Sequence, residues 1–423
     1  MKHAKNPQNE IYSSTKKKKS SAKESIDIYS KTPKSKIALD IISKILFPIE
    51  MMVVIALIIY ATLIQVFPVF YVFVFIILLG ILAGVHIKLL TGQNRRVKRK
   101  RIISIFLSIM MFMVSAFGMS YMGILNGAIG DISLGTGENT NQVGNVSRDP
   151  FIVYLSGVDT KNSAEIKDKG LSDVNIVVVV NPKNKKVLMV STPRDYFVPL
   201  EGDSNKMDKL THAGNYGIEC SMKTLEALYD VKFNYYAKLN FKSVYDIVNS
   251  LGGVTIHSEY NFTSSNSYTG KPYKFVKGEN FVQGDAALAF VRERKLFSEG
   301  DRQRGVHQQE LISAVVEKAI SPAMFIPSNI EDMLESVSKN TKTNFAEKEI
   351  KKLISYQMSS MGKEWKFESI SVDGKGAYKK TYSYSAQELY VMIPDTNTVE
   401  TAKEAINAVL EGKEIPSSTV SSN

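Results

Sequence analysis

The chain has 423 residues, 53 Lys/Arg against 42 Asp/Glu, a formal net charge of +11 and one cysteine. The charge is uneven: residues 1–101 hold 18 Lys/Arg and 5 Asp/Glu (+13), and the rest hold 35 and 37 (−2). This argues against a nucleic-acid-binding C-terminal half, which would carry a broad basic surface, and the lone thiol, Cys220, leaves no internal disulfide to hold a fold together.

In chain order, residues 1–44 read as a disordered basic tail. They include "KKKKSSAK" at Lys16 to Lys23 and have too few apolar residues to fold alone. Three apolar stretches follow, at about 47–67, 69–90 and 102–125, together forming a membrane segment over 45–125. Each is long enough to cross a hydrocarbon core about 30 Å thick. The first starts too late to be a cleavable signal peptide. "QVFP" between the first two predicts a tight helical hairpin. "RRVKRKR" (Arg95 to Arg101) makes 91–101 a basic loop. The positive-inside rule then places the N-terminus and this loop in the cytoplasm, and everything beyond the third span outside the cell membrane. Residues 126–148, rich in Gly, Asn, Ser and Thr, read as a flexible spacer. Residues 149–412 read as one extracellular domain, and 413–423 as a disordered tail.

Within that domain apolar runs and helical patterns alternate, predicting an α/β fold. "FIVYLSGVD" is a strand, and "VNIVVVVNP", nearly all β-branched, a central strand buried on both faces. "VLMVSTPRD" returns after a turn. "FKSVYDIVNSLGG" is a helix with Phe241, Val244, Tyr245, Val248 and Leu251 on one face. "GDAALAFVRER" is a short helix leading into the arginines. A longer helix over 306–320 carries Leu311, Ile312, Val315, Val316 and Ala319 on its core stripe. "NFAEKEIKKLISYQM" opens with an Asn344/Glu347 capping box. "WKFESISV" and "LYVMIP" are late strands, before a closing helix from Thr398.

In sheets of this kind, sites gather at strand ends. Asp159 follows "YLSGV", Asp173 enters the most apolar strand in "GLSDVN", and Arg194-Asp195 follow a strand in "STPRD". An aspartate beside an apolar strand is costly unless paired or on a metal. Two of them without His or Cys nearby favour a hard cation such as magnesium; the plainer reading is turn and cap residues. The stretch "VRERKLFSEGDRQRGVHQQ" concentrates Arg292, Arg294, Arg302 and Arg304. Arg292 and Arg294, two apart, would face one way in an extended segment. Arg302 and Arg304 precede a helix whose free N–H groups add to an anion site, with Gln308 in its first turn. Guanidinium forks suit phosphate; the competing reading is a surface loop ion-paired through Glu293, Glu299 and Asp301. No histidine has metal-ligand spacing. His212, His257 and His307 read as ordinary surface or hydrogen-bonded groups, Cys220 has no nucleophile pattern, and no P-loop is present.

Taken together, "YLSGVD", "GLSDVNIVVVVNPKNKKVLMVSTPRD", "KMDKLTHAGNYG", "YYAKLNFKSVYDIVNSLGGVTI" and "FVQGDAALAFVRERK…DRQRGVHQQ" resemble the LytR-CpsA-Psr family of bacterial cell-envelope proteins. The resemblance is dense from 149 to 320 and looser beyond. The three-span anchor is similar to the capsule-associated branch, which often carries an extra domain where this chain has a short spacer. The resemblance implies a single domain with a central, mostly buried sheet flanked by helices, in a Gram-positive-type envelope. It implies a membrane-anchored phosphotransferase that moves a glycopolymer (capsular polysaccharide, teichoic acid or related) from an undecaprenyl-(pyro)phosphate carrier to peptidoglycan through a phosphodiester bond, with Mg2+ as cofactor. Asp159 and Asp173 match the magnesium-associated aspartates. Arg194, Arg292, Arg294, Arg304 and Gln308 match the pyrophosphate-binding set; Asp301 and Arg302 fall in the same motif, and Lys209 in "KMDKLTHA" matches a basic residue on the phosphate side. Asp301, Arg194 and Arg304 are the catalytic candidates. The proton of the acceptor hydroxyl goes to Asp301 or to a metal-side aspartate, and the lipid requires a hydrophobic tunnel opening towards the arginines. The alternatives are a membrane-anchored polyprenyl-phosphate binder regulating polymer export, or a transcriptional attenuator, which the predicted topology opposes. A phosphatase fused to the Gly127–Asp149 stretch should be active in intact cells; activity confined to disrupted cells would overturn the orientation.

Overall fold

The structure is a computed structural model that describes residues 34–91, 97–133, 143–158, 166–201, 205–266, 269–298 and 300–416. The chain divides into two compact units, Met1–Met122 and Gly123–Asn423.

Three helices, α1 (Lys34–Ile64), α2 (Val69–Thr91) and α3 (Val97–Ser133), are long and apolar enough to cross a membrane, with hydropathies of 2.3, 2.6 and 2.3. Helix α1 takes in the last eleven residues of the expected tail. It can do so because Asp40 is neutralised by Lys44 one turn on (2.6 Å) and by Arg101 (2.7 Å). Val54, Leu79 and Met111 form the apolar contact between the helices. Beside it runs a buried polar chain: Glu50 Oε2 lies 3.2 Å from His86 Nδ1, and Ser104 Oγ 2.6 Å from His86 Nε2. These three side chains come from α1, α2 and α3 and are at most 2% exposed. In an apolar surrounding, polar contacts that join all three helices fix which helix faces meet.

In the second unit six strands form one sheet: β1 (Phe151–Val158), β2 (Ser172–Asn181), β3 (Lys186–Ser191), β4 (Tyr235–Asn240), β5 (Lys342–Thr343) and β6 (Lys366–Ser371), in the order β5-β4-β1-β2-β3-β6. Strand β2 runs antiparallel to β1 and β3, whereas β1 with β4 and β3 with β6 are parallel. The C-terminal ends of β1, β3, β4 and β6 and the start of β2 therefore share one edge. The helices are α4 (Ile218–Tyr229), α5 (Phe241–Ser250), α6 (Gly284–Arg292), α7 (Asp301–Ala319), α8 (Pro327–Asn340), α9 (Glu347–Ser359) and α10 (Thr396–Glu411).

The valine run of β2 fills both faces of the sheet, as its lack of alternation implies. Val177 and Val179 pack in a core with Leu225 and Tyr229 of α4 and Ala402, Ala405 and Ile406 of α10. Ile176, Val178 and Val180 pack on the other side with Ile312 of α7. A second core lies under α5, α6 and the 254–258/278–282 hairpin, where Val248, Ile256, Phe290, Leu311 and Ala314 meet. Helix α7 serves both cores, Ile312 in one and Leu311 in the other.

Several expectations change. Helix α7 begins at Asp301, with Gly300 at φ 47° before it, so Arg302 and Arg304 lie inside its first turn rather than ahead of it. Helix α6 ends at Arg292 and Glu293 is extended, so Arg292 and Arg294 straddle a helix end and do not share one face of a strand. Asn344 accepts from the backbone N–H of Tyr236 in β4 (2.7 Å) instead of capping α9, whose end is satisfied by Glu349 accepting from Ala346 N–H (2.8 Å). Tyr245 is exposed, while Val248 and Leu251 are buried. "LYVMIP" is not in the main sheet: Glu388–Pro394 pairs with Gly374–Lys380 in a separate ribbon.

His307 is buried in a cage of Phe262, Phe290 and Phe297, its ring stacked 4.1 Å from that of Phe290. Its Nδ1 lies 3.1 Å from the carbonyl of Phe290, which ties α7 to the end of α6. Burial pushes its pKa down to about 4, partly offset by that hydrogen bond and by Glu293. The folded state thus resists protonation that the unfolded chain accepts near the ordinary value of 6.5, so stability falls as pH drops between those values. The full loss is about 3 kcal/mol. His307→Phe should remove that component from melting curves of the protein taken between pH 6.5 and 4; an unchanged pH slope would show that His307 does not titrate this way.

Candidate functional site

The shared sheet edge opens into a cavity of about 680 Å³ lined by the ends of β3 and β6 and by the first turn of α7. The lining includes four cations, Arg194, Lys209, Arg294 and Arg302, against two carboxylates, Asp195 and Asp373, with the hydroxyls of Ser191, Ser298 and Ser371 between them. Parallel pairing of β3 and β6 is what brings Arg194 and Asp373, 179 positions apart in the chain, to one place.

Three of the cations, Arg194, Lys209 and Arg302, are held by acidic neighbours. Arg194 Nη1 lies 2.7 Å from Asp173 Oδ1, and its Nε 3.7 Å from Asp195 Oδ2. Lys209 Nζ lies 2.8 Å from the other Asp195 oxygen, and Arg302 Nη1 3.3 Å from Asp373 Oδ2. These groups are partly exposed, so each pair adds modest stability. Their main effect is geometric: they hold three of the four cations in orientation around one space that keeps an excess of positive charge.

The supports are buried. Asp208 is fully buried and accepts from Lys209 N–H (2.7 Å) and Ser383 N–H (2.8 Å), with His212 Nδ1 2.5 Å away. Burial alone would raise its pKa, but the hydrogen bonds from His212, Ser383 and Lys209 outweigh burial and hold it below the usual carboxylate value. This fixes the backbone from which Lys209 reaches Asp195. At the start of β2, Tyr154, Ser156, Ser172 and Asn175 form a buried hydroxyl–amide network, with Tyr154 Oη donating to Asn175 Oδ1 at 2.6 Å. It positions the strand end that carries Asp173. Tyr196 Oη donates to the carbonyl of Asp373 at 2.5 Å.

A second cavity, about 70 Å³ and almost wholly apolar, lies between β1, β2, β4, α5 and α7. Leu155, Val174, Phe241, Val244, Leu311 and Ile312 line it, with Asp173, Asn240 and Gln308 as its polar members. Asp173 thus borders this cavity and holds Arg194 of the other, so the Asp173–Arg194 pair stands between them. The expected tunnel is here a narrow pocket, because the Val, Leu and Ile side chains of α5 and α7 close in on it.

The sequence-predicted residues are therefore distributed. Arg194, Lys209, Arg294 and Arg302 meet in the cation cavity. Gln308 turns to the apolar one, and the Arg292 guanidinium lies 4.2 Å from the ring of Phe241, at its margin. Arg304 is half-buried in the first turn of α7, outside the described lining of both cavities. Asp159 and the side chain of Asp301 lie outside the described residues. Asp373, Tyr390 and Met392 are not among the residues the sequence marks, and Asp195 is marked there beside Arg194 as a strand-end charge but not as a site residue. "SVDG" at Ser371 to Gly374 repeats the strand-end aspartate of "YLSGVD" and could have marked Asp373. His212 and His307 are buried and hydrogen-bonded; His257 is exposed.

For a magnesium ion, the described residues contain no group of three His, Cys, Asp or Glu able to hold a metal. They offer one carboxylate of the expected pair, Asp173, with one oxygen on Arg194. Among the described residues that set fits only an ion that takes a single protein carboxylate and fills the rest of its shell with phosphate oxygens and water.

Comparison with known proteins gives a consistent result. The model of the LytR_cpsA_psr family matches residues 128–405. A Bacillus mycoides protein named polyisoprenyl-teichoic acid--peptidoglycan teichoic acid transferase TagU is 34% identical over 234 residues, 54% of this chain and 70% of that one. An Enterococcus faecalis protein of the same name is 32% identical over 224 residues, 53% of this chain and 71% of its own. Among solved structures, that of TagV from B. subtilis superposes with a TM-score of 0.51 at 25% identity, covering 62% of this chain and 98% of that one. A Streptococcus agalactiae protein reaches 0.52 at 27% identity, covering 64% and 90%.

Asp208→Ala leaves three donors without their buried acceptor and should cost about 3 kcal/mol. Thermal or urea unfolding of the variant measures it, and an unchanged midpoint would show that the Asp208 network does not support the site.

Proposed function

The chain belongs to the LytR-CpsA-Psr family, and from that membership we propose that it is a membrane-anchored transferase that moves a polyisoprenyl-linked glycopolymer to peptidoglycan. The observation that carries this reading is the junction of the two cavities. A cation-lined space large enough for a pyrophosphate adjoins an apolar pocket across the Asp173–Arg194 pair. A polyprenyl pyrophosphate has that combination, a dianionic or more highly charged head on an apolar chain.

The chain's own residues then have distinct tasks. Arg194, Lys209, Arg294 and Arg302 surround the pyrophosphate and exchange their carboxylate partners for phosphate oxygens. Arg292 and Gln308 stand where the head meets the lipid, whose first units enter the apolar pocket. Arg304, in the first turn of α7, adds positive charge at the helix N-terminus. A hydroxyl of peptidoglycan attacks the phosphorus that bears the glycopolymer. A phosphodiester P–O bond forms, the P–O bond to the bridging oxygen breaks, and polyprenyl monophosphate leaves. The hydroxyl proton passes to Asp301 or to one of Asp159 and Asp173. Such a transfer depends on positioning and charge neutralisation more than on covalent help. Magnesium, held by Asp173 and Asp159, supplies further neutralisation when bound.

The names of the relatives support teichoic acid as the donor glycopolymer and a polyisoprenyl carrier; undecaprenyl is the carrier proposed, and capsular polysaccharide the alternative donor. The basic charge around the three apolar helices supports a cytoplasmic N-terminus and an outside catalytic domain, where flipped lipid-linked donor and peptidoglycan are both within reach.

The test combines the protein with a short synthetic polyprenyl-pyrophosphate glycan and peptidoglycan oligomers, with and without magnesium, and looks by mass spectrometry for the phosphodiester product and released polyprenyl phosphate. Arg304→Ala should insert and fold normally and lower transfer about a hundredfold or more. Unaltered transfer would remove Arg304 from the site, and tight carrier binding without product from the wild type would favour a binder of polyprenyl phosphates.

A further inference from the structure

The ribbon formed by Gly374–Lys380 and Glu388–Pro394 is part of the cation cavity at one end and open to solvent along the rest. Its Tyr390 and Met392 line the cavity, and Met392 N–H donates to the carbonyl of Asp195 at 2.8 Å. The ribbon is therefore fixed to the loop that carries Arg194 and Asp195.

Its outer face is aromatic. Tyr378 and Tyr390 are directly paired across the strands, 67% and 43% exposed, with rings 6.0 Å apart and edge to face. A Cβ at Gly376 would lie 3.0 Å from Cε2 and Oη of Tyr390 and 3.4 Å from its Cζ, so the edge of that ring comes close to the glycine. The glycine leaves room for that ring edge, and Tyr378 walls the ring on one side. Burial does not explain the arrangement, because both rings keep much of their surface in water. The same ribbon carries three exposed lysines, Lys375, Lys379 and Lys380, against one exposed acid, Glu388.

We propose that this ribbon is the docking platform for the acceptor glycan strand, with Tyr390 stacking on a pyranose ring beside the cation cavity. The proposal rests on the transferase reading above and deepens it by naming the acceptor side of the site. Flat apolar faces of pyranose rings stack on aromatic rings, and the carboxylates of peptidoglycan stems complement the lysines. The donor's lipid is accounted for elsewhere: the lining of the apolar pocket takes no residue from the ribbon. A sugar stacked on Tyr390 would present its hydroxyls to the space that Arg194 and Arg302 surround.

The test uses the full chain in nanodiscs of neutral lipid and measures binding of soluble N-acetylglucosamine–N-acetylmuramic acid oligomers bearing peptide stems. In parallel it measures binding of a short polyprenyl pyrophosphate. Tyr390→Ala should weaken oligomer binding about tenfold, the loss of one stacking contact, and Tyr390→Trp should retain it. Tyr378→Ala, whose ring is outside the cavity lining, should weaken the oligomer less and leave carrier binding unchanged. Wild-type protein that ignores the oligomers, or binds them equally with Tyr390→Ala, overturns the platform. A Tyr390 effect on teichoic acid fragments and not on peptidoglycan oligomers overturns it in favour of a donor-polymer site. Failure of the wild type to bind the carrier would instead overturn the transferase reading.

Discussion

The site depends on how the first two turns of α7 sit against the ends of β3 and β6. A Cβ at Gly305 would come within 2.9 Å of Ser191 Oγ, so the helix approaches the strand end closely there. One turn on, the side-chain amide of Gln309 donates to the carbonyls of Met189 in β3 (3.1 Å) and Ile370 in β6 (2.8 Å). On its other flank His307 is pinned to Phe290. Residues of "RQRGVHQQ" thus serve four faces of the helix: Arg302 the cation cavity, Gly305 and Gln309 the sheet, His307 the aromatic cage and Gln308 the apolar pocket. Had the helix turned by one residue, the arginines would face a core and the apolar residues the solvent.

Electrostatics then follows from strand direction. Because β2 runs against its neighbours, its first residues lie beside the last residues of β1 and β3, and Asp173 meets Arg194. The carboxylates at this edge keep the cations apart and oriented, and because the pairs are partly exposed and individually weak, an incoming anion could compete for the cations. Deeply buried pairs would not exchange so readily. The strong, buried polar interactions lie one step back, at Asp208 with His212 and at Asn175 with Tyr154, where they hold backbone in place and are not called on to let go.

The first unit solves a different problem with similar means. In three apolar helices a lone glutamate is expensive, and Glu50 is matched to His86 and, through its other nitrogen, to Ser104. Apolar side chains alone would allow many rotations of the helices about one another; a chain of three polar groups from three helices selects one.

Local patterns made much of this legible. Hydropathy located three apolar helices, the unbroken valine run of β2 announced a strand covered on both faces, and the crowding of arginines in a slightly acidic half pointed to the stretch that supplies two cations to the large cavity. Such features depend on neighbours in the chain. The rest depended on partners far away. Asp373 joined the site because β6 pairs parallel with β3, Arg292 parted from Arg294 because α6 ends between them, Asn344 was taken by β4, and "LYVMIP" found its partner in a segment with no strong strand pattern. The sequence by itself determined the residue types, their order and the periodicities, which are short-range. Only the tertiary structure decided which charges meet, since strand direction and helix phase are set by how whole elements pack, and a change of one residue in either sends a side chain to the opposite face.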